Sequence, residues 1–294
     1  MICLDGALAR AVPAFDLLVP ASVDEAIAAL GGRGGGGPVV LAGGTDLLLD
    51  IDDGRVAPTR VVSLRRLPWR TLDWVDGELT VGSTLPLRTL EEDPGVRSLH
   101  PGLWHAVHAV GSVALRHRAT LGGNLGRSAP ASDLVPMLLA LDAEVDLVGP
   151  GGDRRLPLDR FVRASRRTAL EPGELIRSVR VPEPRPSAYL WQRVRPANDI
   201  SQVAVAAAYS PRGRSWSVAV GGMPPRPILL PDVARALGTG VPTEDRLHRA
   251  SAAAMREESL VADRRASEEY RRRLVGTLVE RAVRGAAESG TVRP

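Results

Sequence analysis

The chain is 294 residues long, a length that favours about two domains. Its 44% hydrophobic content is enough for packed cores, while its longest apolar runs fall well short of the roughly 18 residues that a membrane-spanning helix needs. Cys3 is the single cysteine, which excludes an intramolecular disulfide and any four-thiolate iron–sulfur cluster held by this chain alone.

The net charge is +4, and all 38 basic side chains are arginines spread along the sequence. No basic cluster interleaved with aromatics is visible, so nucleic acid is not an expected partner. No basic stretch leads into an apolar core at the N-terminus, and a cytoplasmic location is expected.

Residues 1–16 read as an irregular or extended lead. A helix is expected after Pro20: Ser22 is a good N-cap, Glu25 sits at the capping-box position, and Ala26, Ile27 and Leu30 form an apolar stripe. Residues 31–37 form a glycine-rich loop with no strand before it, read as a surface insertion. Residues 39–41 make a short buried strand running into Ala42-Gly43-Gly44-Thr45-Asp46, with residues 47–51 continuing as helix or extended chain and residues 61–64 as a parallel strand. Residues 20–65 therefore read as a small βαβ-like unit, without the GxGxxG spacing of a Rossmann turn.

Residues 74–85 alternate around Gly77 and read as a hairpin, followed by helices at residues 87–90 and 103–110. His105 and His108 share a helical face at metal-ligand spacing. No acidic or cysteine third ligand is placed beside them, so surface histidines and no metal are expected. Arg116-His117-Arg118 could assist an anion or simply be solvated. Residues 134–141 form an unbroken apolar helix that Asp133 could cap, followed by strands at 144–148 and around 155–158, then residues 157–161 and 170–181. The Pro-rich segment 182–186 reads as a linker. Beyond it, residues 188–193, 203–209 and 216–221 read as a three-stranded antiparallel sheet, and the chain is helical from Val233.

The chemistry gathers in two segments. Residues 120–133 contain Thr120-Leu121-Gly122-Gly123-Asn124, and residues 39–48 contain the first glycine pair. Glycine has no Cβ and tolerates positive φ, so consecutive amides can turn into one concavity around an anion. Two such segments suit a long ligand with more than one phosphate. No Ser-His-Asp or Cys-His constellation is present, and no catalytic residue is expected in this chain.

Residues 42–48 and 118–125, with Pro130, Asp133, Leu134 and Pro136, resemble the FAD-binding subunit of molybdenum hydroxylases, the family of the carbon monoxide dehydrogenase medium subunit and the xanthine dehydrogenase flavin domain. The similarity continues through Thr168-Ala169-Leu170, Pro172-Gly173-Glu174-Leu175-Ile176, Asn198-Asp199-Ile200 and residues 263–271, covering about residues 13 to 288. It implies an α+β chain: a PCMH-type FAD-binding domain over 1–181, in two α/β subdomains of about 1–65 and 66–181, then an α+β C-terminal domain over 187–290.

The resemblance further implies FAD with its pyrophosphate against Val40, Leu41, Ala42, Gly43, Gly44, Thr45, Asp46 and Leu47, and against Thr120, Leu121, Gly122, Gly123 and Asn124. Asp133 would lie near the ribose or adjoining phosphate, Ile176 on the flavin side, and Val110 in the same pocket. Trp191, also expected to bind the cofactor, stands where the xanthine dehydrogenase flavin domain has a lysine near the flavin, and Arg127-Ser128-Ala129-Pro130 replaces the family's usual Asn-Ala-Ser-Pro. The implied partners are an iron–sulfur small subunit and a molybdopterin large subunit, with electrons leaving to NAD, oxygen or a quinone. The alternative is a standalone FAD-dependent oxidoreductase acting on a small molecule.

Overall fold

A computed structural model of the chain describes residues 13–31, 37–195, 199–223 and 225–289. Cys3, Asn198, most of the N-terminal lead and residues 32–36 of the glycine-rich loop lie outside the described residues.

The first unit is β1 (Asp16–Leu18), α1 (Val23–Leu30), β2 (Val39–Leu41), α2 (Leu47–Asp52) and β3 (Arg60–Ser63), a parallel sheet in the order β1-β3-β2. Ser22 caps α1 as its pattern predicts, accepting from the Glu25 amide at 3.2 Å, while Glu25 reaches back to the Ala21 amide at 2.8 Å. Asp16, at the end of the lead, opens a strand in which Asp16, Leu17 and Leu18 pair with Arg60, Val61 and Val62.

The second unit holds β4 (Leu72–Val75), β5 (Glu78–Gly82), the helices α3 (Leu87–Glu92), α4 (Pro94–Leu99), α5 (Pro101–Ala109), α6 (Val113–Arg116), α7 (Leu121–Arg127) and α8 (Leu134–Ala140), then β6 (Glu144–Gly149), β7 (Gly152–Pro157), α9 (Leu158–Phe161), β8 (Val162–Ala164), β9 (Arg167–Thr168) and β10 (Leu175–Val181). Its main sheet is antiparallel, in the order β4-β5-β10-β6-β7. Every residue of α8 is buried, which explains a helix without a polar face. Ala26, Leu64, Leu67, Trp69, Val148 and Leu175 form a small core that joins the first unit to this sheet.

The C-terminal unit is β11 (Ser187–Gln192), β12 (Val203–Ser210), β13 (Ser215–Gly221), β14 (Ile228–Leu229), α10 (Pro231–Leu237), α11 (Glu244–Met255) and α12 (Glu268–Glu288). The expected three-stranded sheet gains a fourth strand, since the two residues of β14 pair with Ala219 and Val220 at the edge. All of β12 is buried, because one face of this sheet joins the core of the second unit and the other packs on α10–α12. Burial on both faces produces the unbroken apolar run at 203–209.

The Pro-rich segment 182–186 is no loose tether. Glu183 and Arg185 are buried, bond each other at 3.1 Å, and tie on to Ser210 and to the Ala140 carbonyl. No helix among the described residues is long and apolar enough to cross a membrane.

Candidate cofactor site

A cavity of about 620 Å³ lies between the first and second units, lined by residues from Val39 to Leu64 on one side and from Ser83 to Ile176 on the other. The first glycine pair forms a turn between β2 and α2. Gly44 adopts a φ of 82°, a left-handed conformation that glycine takes without strain. The turn is anchored by the Leu48 amide on the Gly44 carbonyl at 3.1 Å and by the Asp50 amide on the Asp46 carbonyl at 2.9 Å. The amides of Gly43, Gly44, Thr45 and Asp46 find no acceptor among the described residues. They form a run of unspent donors on a cavity wall, the requirement for holding an anion. A Cβ on Gly43 would lie 2.1 Å from the Arg118 carbonyl oxygen, so the backbones of the two segments are in direct contact at this glycine.

The second pair is built differently. Thr120 is the N-cap of α7, its Oγ1 accepting from the Gly123 amide at 3.0 Å. The Gly122 amide donates to the Ser83 carbonyl at 3.0 Å, and the Asn124 amide to the Thr120 carbonyl at 3.0 Å. Residues 121–127 are thus a helix rather than an open loop, and neither Gly122 nor Gly123 has a positive φ. Its glycines supply close approach instead of donors: a Cβ on Gly122 would lie 2.5 Å from the Ser83 Cβ, and one on Gly123 would meet Thr120 Oγ1 at 2.9 Å and the Ala42 Cβ at 3.5 Å.

Val40, Ala42, Gly43, Gly44, Thr45, Asp46, Leu47, Val110, Thr120, Gly122, Gly123, Asn124 and Ile176 all line this cavity. Leu41, Leu121, Asp133 and Trp191 do not. Leu121 turns into the core of the second unit. Asp133 neither reaches the cavity nor caps α8 with its side chain; Ser132 Oγ accepts from the Val135 amide in its place. The buried Asp133 carboxylate accepts from Tyr189 Oη at 2.8 Å, Ser201 Oγ at 3.0 Å and Arg193 Nη2 at 2.8 Å. Burial pushes this carboxyl upward, against those three partners.

Arg193 also donates to the Ala109 carbonyl at 3.0 Å, next to Val110, and lies 5.3 Å from the centre of the Trp191 ring. Trp191 stacks on Tyr189 at 5.5 Å and 23°. Asp133 and Trp191 therefore belong to one network behind Val110, which binds the C-terminal sheet to the end of α5.

Arg116 does not line the cavity. It is buried on Glu91 with bonds of 2.8 and 3.0 Å, and it donates to the carbonyls of His108 and Val110. His108 bonds the same Glu91 at 2.7 Å, while His105 packs edge-on against Trp104. Burial raises the Glu91 carboxyl, and Arg116 and His108 more than offset it, so the group stays below its usual range.

Sequence reasoning missed Asp50, a cavity residue whose side chain is only 2% exposed. Both terminal nitrogens of Arg127 bond it, Arg55 Nη1 lies 2.6 Å away, and Arg166 Nη2 lies 3.9 Å away. The Arg127 bonds hold the Asp50 carboxyl below the usual carboxylate range, against the opposing effect of burial. The signal for Asp50 was its place one helical turn after Asp46. Leu170 and Leu175, both within the motifs that carry the resemblance, add apolar wall, as do Leu49 and Val56, which carried no signal of their own.

Residues 13–184 match the family of the FAD binding domain in molybdopterin dehydrogenase. The chain belongs to that family. Residues 188–286 match the CO dehydrogenase flavoprotein C-terminal domain. The nicotinate dehydrogenase FAD-subunit of Eubacterium barkeri is 31% identical over 176 residues, covering 58% of this chain and 59% of that subunit, so the aligned part spans less than two thirds of that relative. The xanthine dehydrogenase FAD-binding subunit of Escherichia coli O157:H7 is 26% identical over 254 residues, covering 83% of this chain and 87% of its own.

Among solved structures, the reconstituted CO dehydrogenase from Oligotropha carboxidovorans superposes with a TM-score of 0.88 at 24% identity, covering 95% of this chain and 100% of that chain, which is a likeness of fold. FAD is the cofactor of the family, and the donor set fits it. Four unspent amides suit a pyrophosphate, and the cavity is otherwise largely walled by aliphatic side chains that suit flat rings.

Proposed function

We propose that the cavity holds FAD with its pyrophosphate on the amides of Gly43, Gly44, Thr45 and Asp46. On this reading the chain is the flavin-carrying oxidoreductase subunit of a molybdenum hydroxylase. It takes electrons from an iron–sulfur small subunit that drains a molybdopterin large subunit, and passes them to NAD, oxygen or a quinone. The run of four amides unpartnered among the described residues carries the reading, because successive N–H groups left unspent along a cavity wall make a concavity that suits an anion. The single cysteine agrees with a division of labour in which another chain carries the clusters.

Bound flavin supplies the redox chemistry. The chain's own residues place it: Gly43 to Asp46 donate to the pyrophosphate, Thr120, Gly122 and Gly123 let α7 come close, and Val110 and Ile176 flank the rings. Trp191 and Asp133 act from behind, fixing Arg193 and through it the end of α5 beside Val110. The test is cofactor retention followed by partner dependence. Protein incubated with FAD and then desalted is expected to keep about one flavin per chain, reducible by a reduced iron–sulfur protein. A colourless product would overturn the reading. Reduction by a small organic substrate with no second protein present would replace the complex with a standalone flavoenzyme.

A further inference from the structure

We propose that Arg116, set by Glu91, is a positioning residue that fixes the turn carrying Val110, Gly111 and Leu115 to the cavity, an inference that rests on the FAD reading above. Those three residues line the cavity and Arg116 does not, so Arg116 acts through the backbone it holds.

The helix α5 ends at Ala109, and a helix end leaves carbonyls without partners inside the helix. Here side chains meet them. Arg116 Nη1 donates to the carbonyls of His108 and Val110, each at 3.0 Å, and Arg193 Nη2 donates to the Ala109 carbonyl between them, also at 3.0 Å. Three successive carbonyls thus rest on two guanidiniums, one from α6 and one from the residue after β11.

The chain turns at Gly111, whose φ of 51° is left-handed, and enters a new helix at once. Ser112 caps it, its Oγ accepting from the Leu115 amide at 3.2 Å. This short helix delivers Leu115 and Arg116 in succession. Leu115 goes to the cavity and packs on the turn, where a Cβ on Gly111 would lie 3.0 Å from its Cδ2. The Arg116 side chain goes inward and is 3% exposed.

The guanidinium has one available pose. Its Nε bonds one Glu91 oxygen at 2.8 Å and its Nη2 the other at 3.0 Å, while Nη1 serves the two carbonyls. Glu91 is fixed in turn. Its carboxylate accepts from Arg88 Nη1 at 3.1 Å and bonds His108 Nδ1 at 2.7 Å, and its carbonyl accepts from Trp104 Nε1 at 2.9 Å. One ion pair therefore joins α3, the end of α5 and α6.

A buried ion pair is a poor means of gaining stability, because desolvation offsets the attraction and apolar side chains of similar volume often do as well. Apolar side chains cannot hold two carbonyls at a set spacing. The placement of the Val110–Gly111 wall is what this pair adds.

The test uses the full-length chain loaded with FAD, as wild type, as the double variant Glu91→Leu with Arg116→Met, and as Arg116→Lys. Each is measured for its unfolding midpoint, its FAD dissociation constant and the visible circular dichroism of the bound flavin. The double variant removes both charges together, so it is expected to fold with a midpoint near that of wild type. Its carbonyls lose their donor, and FAD is expected to bind about tenfold more weakly, the scale of one hydrogen bond, with an altered flavin dichroism. Arg116→Lys keeps the charge without the planar fork, and a drop of about threefold with a dichroism between the other two is expected. Wild-type affinity and dichroism in the double variant would overturn the inference. So would loss of folding in both variants, or weaker binding with unchanged dichroism, since either would make the pair a fold element only. Wild type that binds no FAD would instead overturn the reading on which the inference rests.

Discussion

The two glycine pairs look alike in the sequence and do opposite work in the structure. Gly43-Gly44 is a true turn, with one left-handed residue, and the four successive amides of residues 43–46 find no acceptor among the described residues. Gly122-Gly123 is the first turn of a helix whose amides are already spent on Ser83 and Thr120. The first pair offers donors, and the second removes bulk so that the donors can be approached. A glycine motif therefore states where backbone must come close, and hydrogen-bond bookkeeping decides which motif can hold an anion.

Substitutions can separate the two roles. The largest effect is expected from Gly43→Val, whose Cβ would sit 2.1 Å from the Arg118 carbonyl oxygen. Backbone cannot yield as a side chain does, so the segments must part. Flavin retention is expected to vanish and thermal stability to fall by about 3 kcal/mol or more, measurable by absorbance after desalting and by denaturant unfolding. Gly123→Val comes next. Its Cβ would press on the capping Thr120 hydroxyl and its branches would enter the cavity, so FAD retention should be lost while the unfolding midpoint moves much less. Full flavin occupancy in this variant would show that the second pair does not border the ligand.

Gly44→Ala is expected to cost about 1 to 2 kcal/mol in stability from the left-handed φ, with a moderate drop in FAD affinity because the donor run shifts. Thr120→Ala should be smallest, about 1 kcal/mol of stability for the lost cap. It frees the Gly123 amide, so FAD affinity should be nearly unchanged. A large loss of affinity would mean that the Thr120 hydroxyl itself meets the ligand.

Much of the fold was legible where local chemistry decides. The Ser22–Glu25 capping box, the hairpin turn at Asp76-Gly77 with both residues at positive φ, and the continuously apolar β12 each follow from neighbours in sequence. Local patterns failed where partners are distant. Three glycines lower the helix propensity of residues 121–127, so the segment reads as a loop; the contact with Ser83 and the Thr120 cap override that preference. Asp133 looked like a cap or ligand contact, yet its partners Tyr189, Arg193 and Ser201 stand 56, 60 and 68 residues away.

Arg127 was visible only as a departure from a familiar motif, because the residue that explains it, Asp50, is 77 positions distant. The cavity walls were legible as two segments, and their meeting was supplied by tertiary packing alone.

The most direct test of the central claim is amide hydrogen exchange, resolved by residue with NMR, in the protein with and without FAD. The amides of Gly43, Gly44, Thr45 and Asp46 should exchange readily in the free protein and gain strong protection on FAD binding, whereas Gly122 and Gly123 should be protected in both states. Protection gained at Gly122 and Gly123, with residues 43–46 unchanged, would contradict the assignment of the pyrophosphate to the first turn.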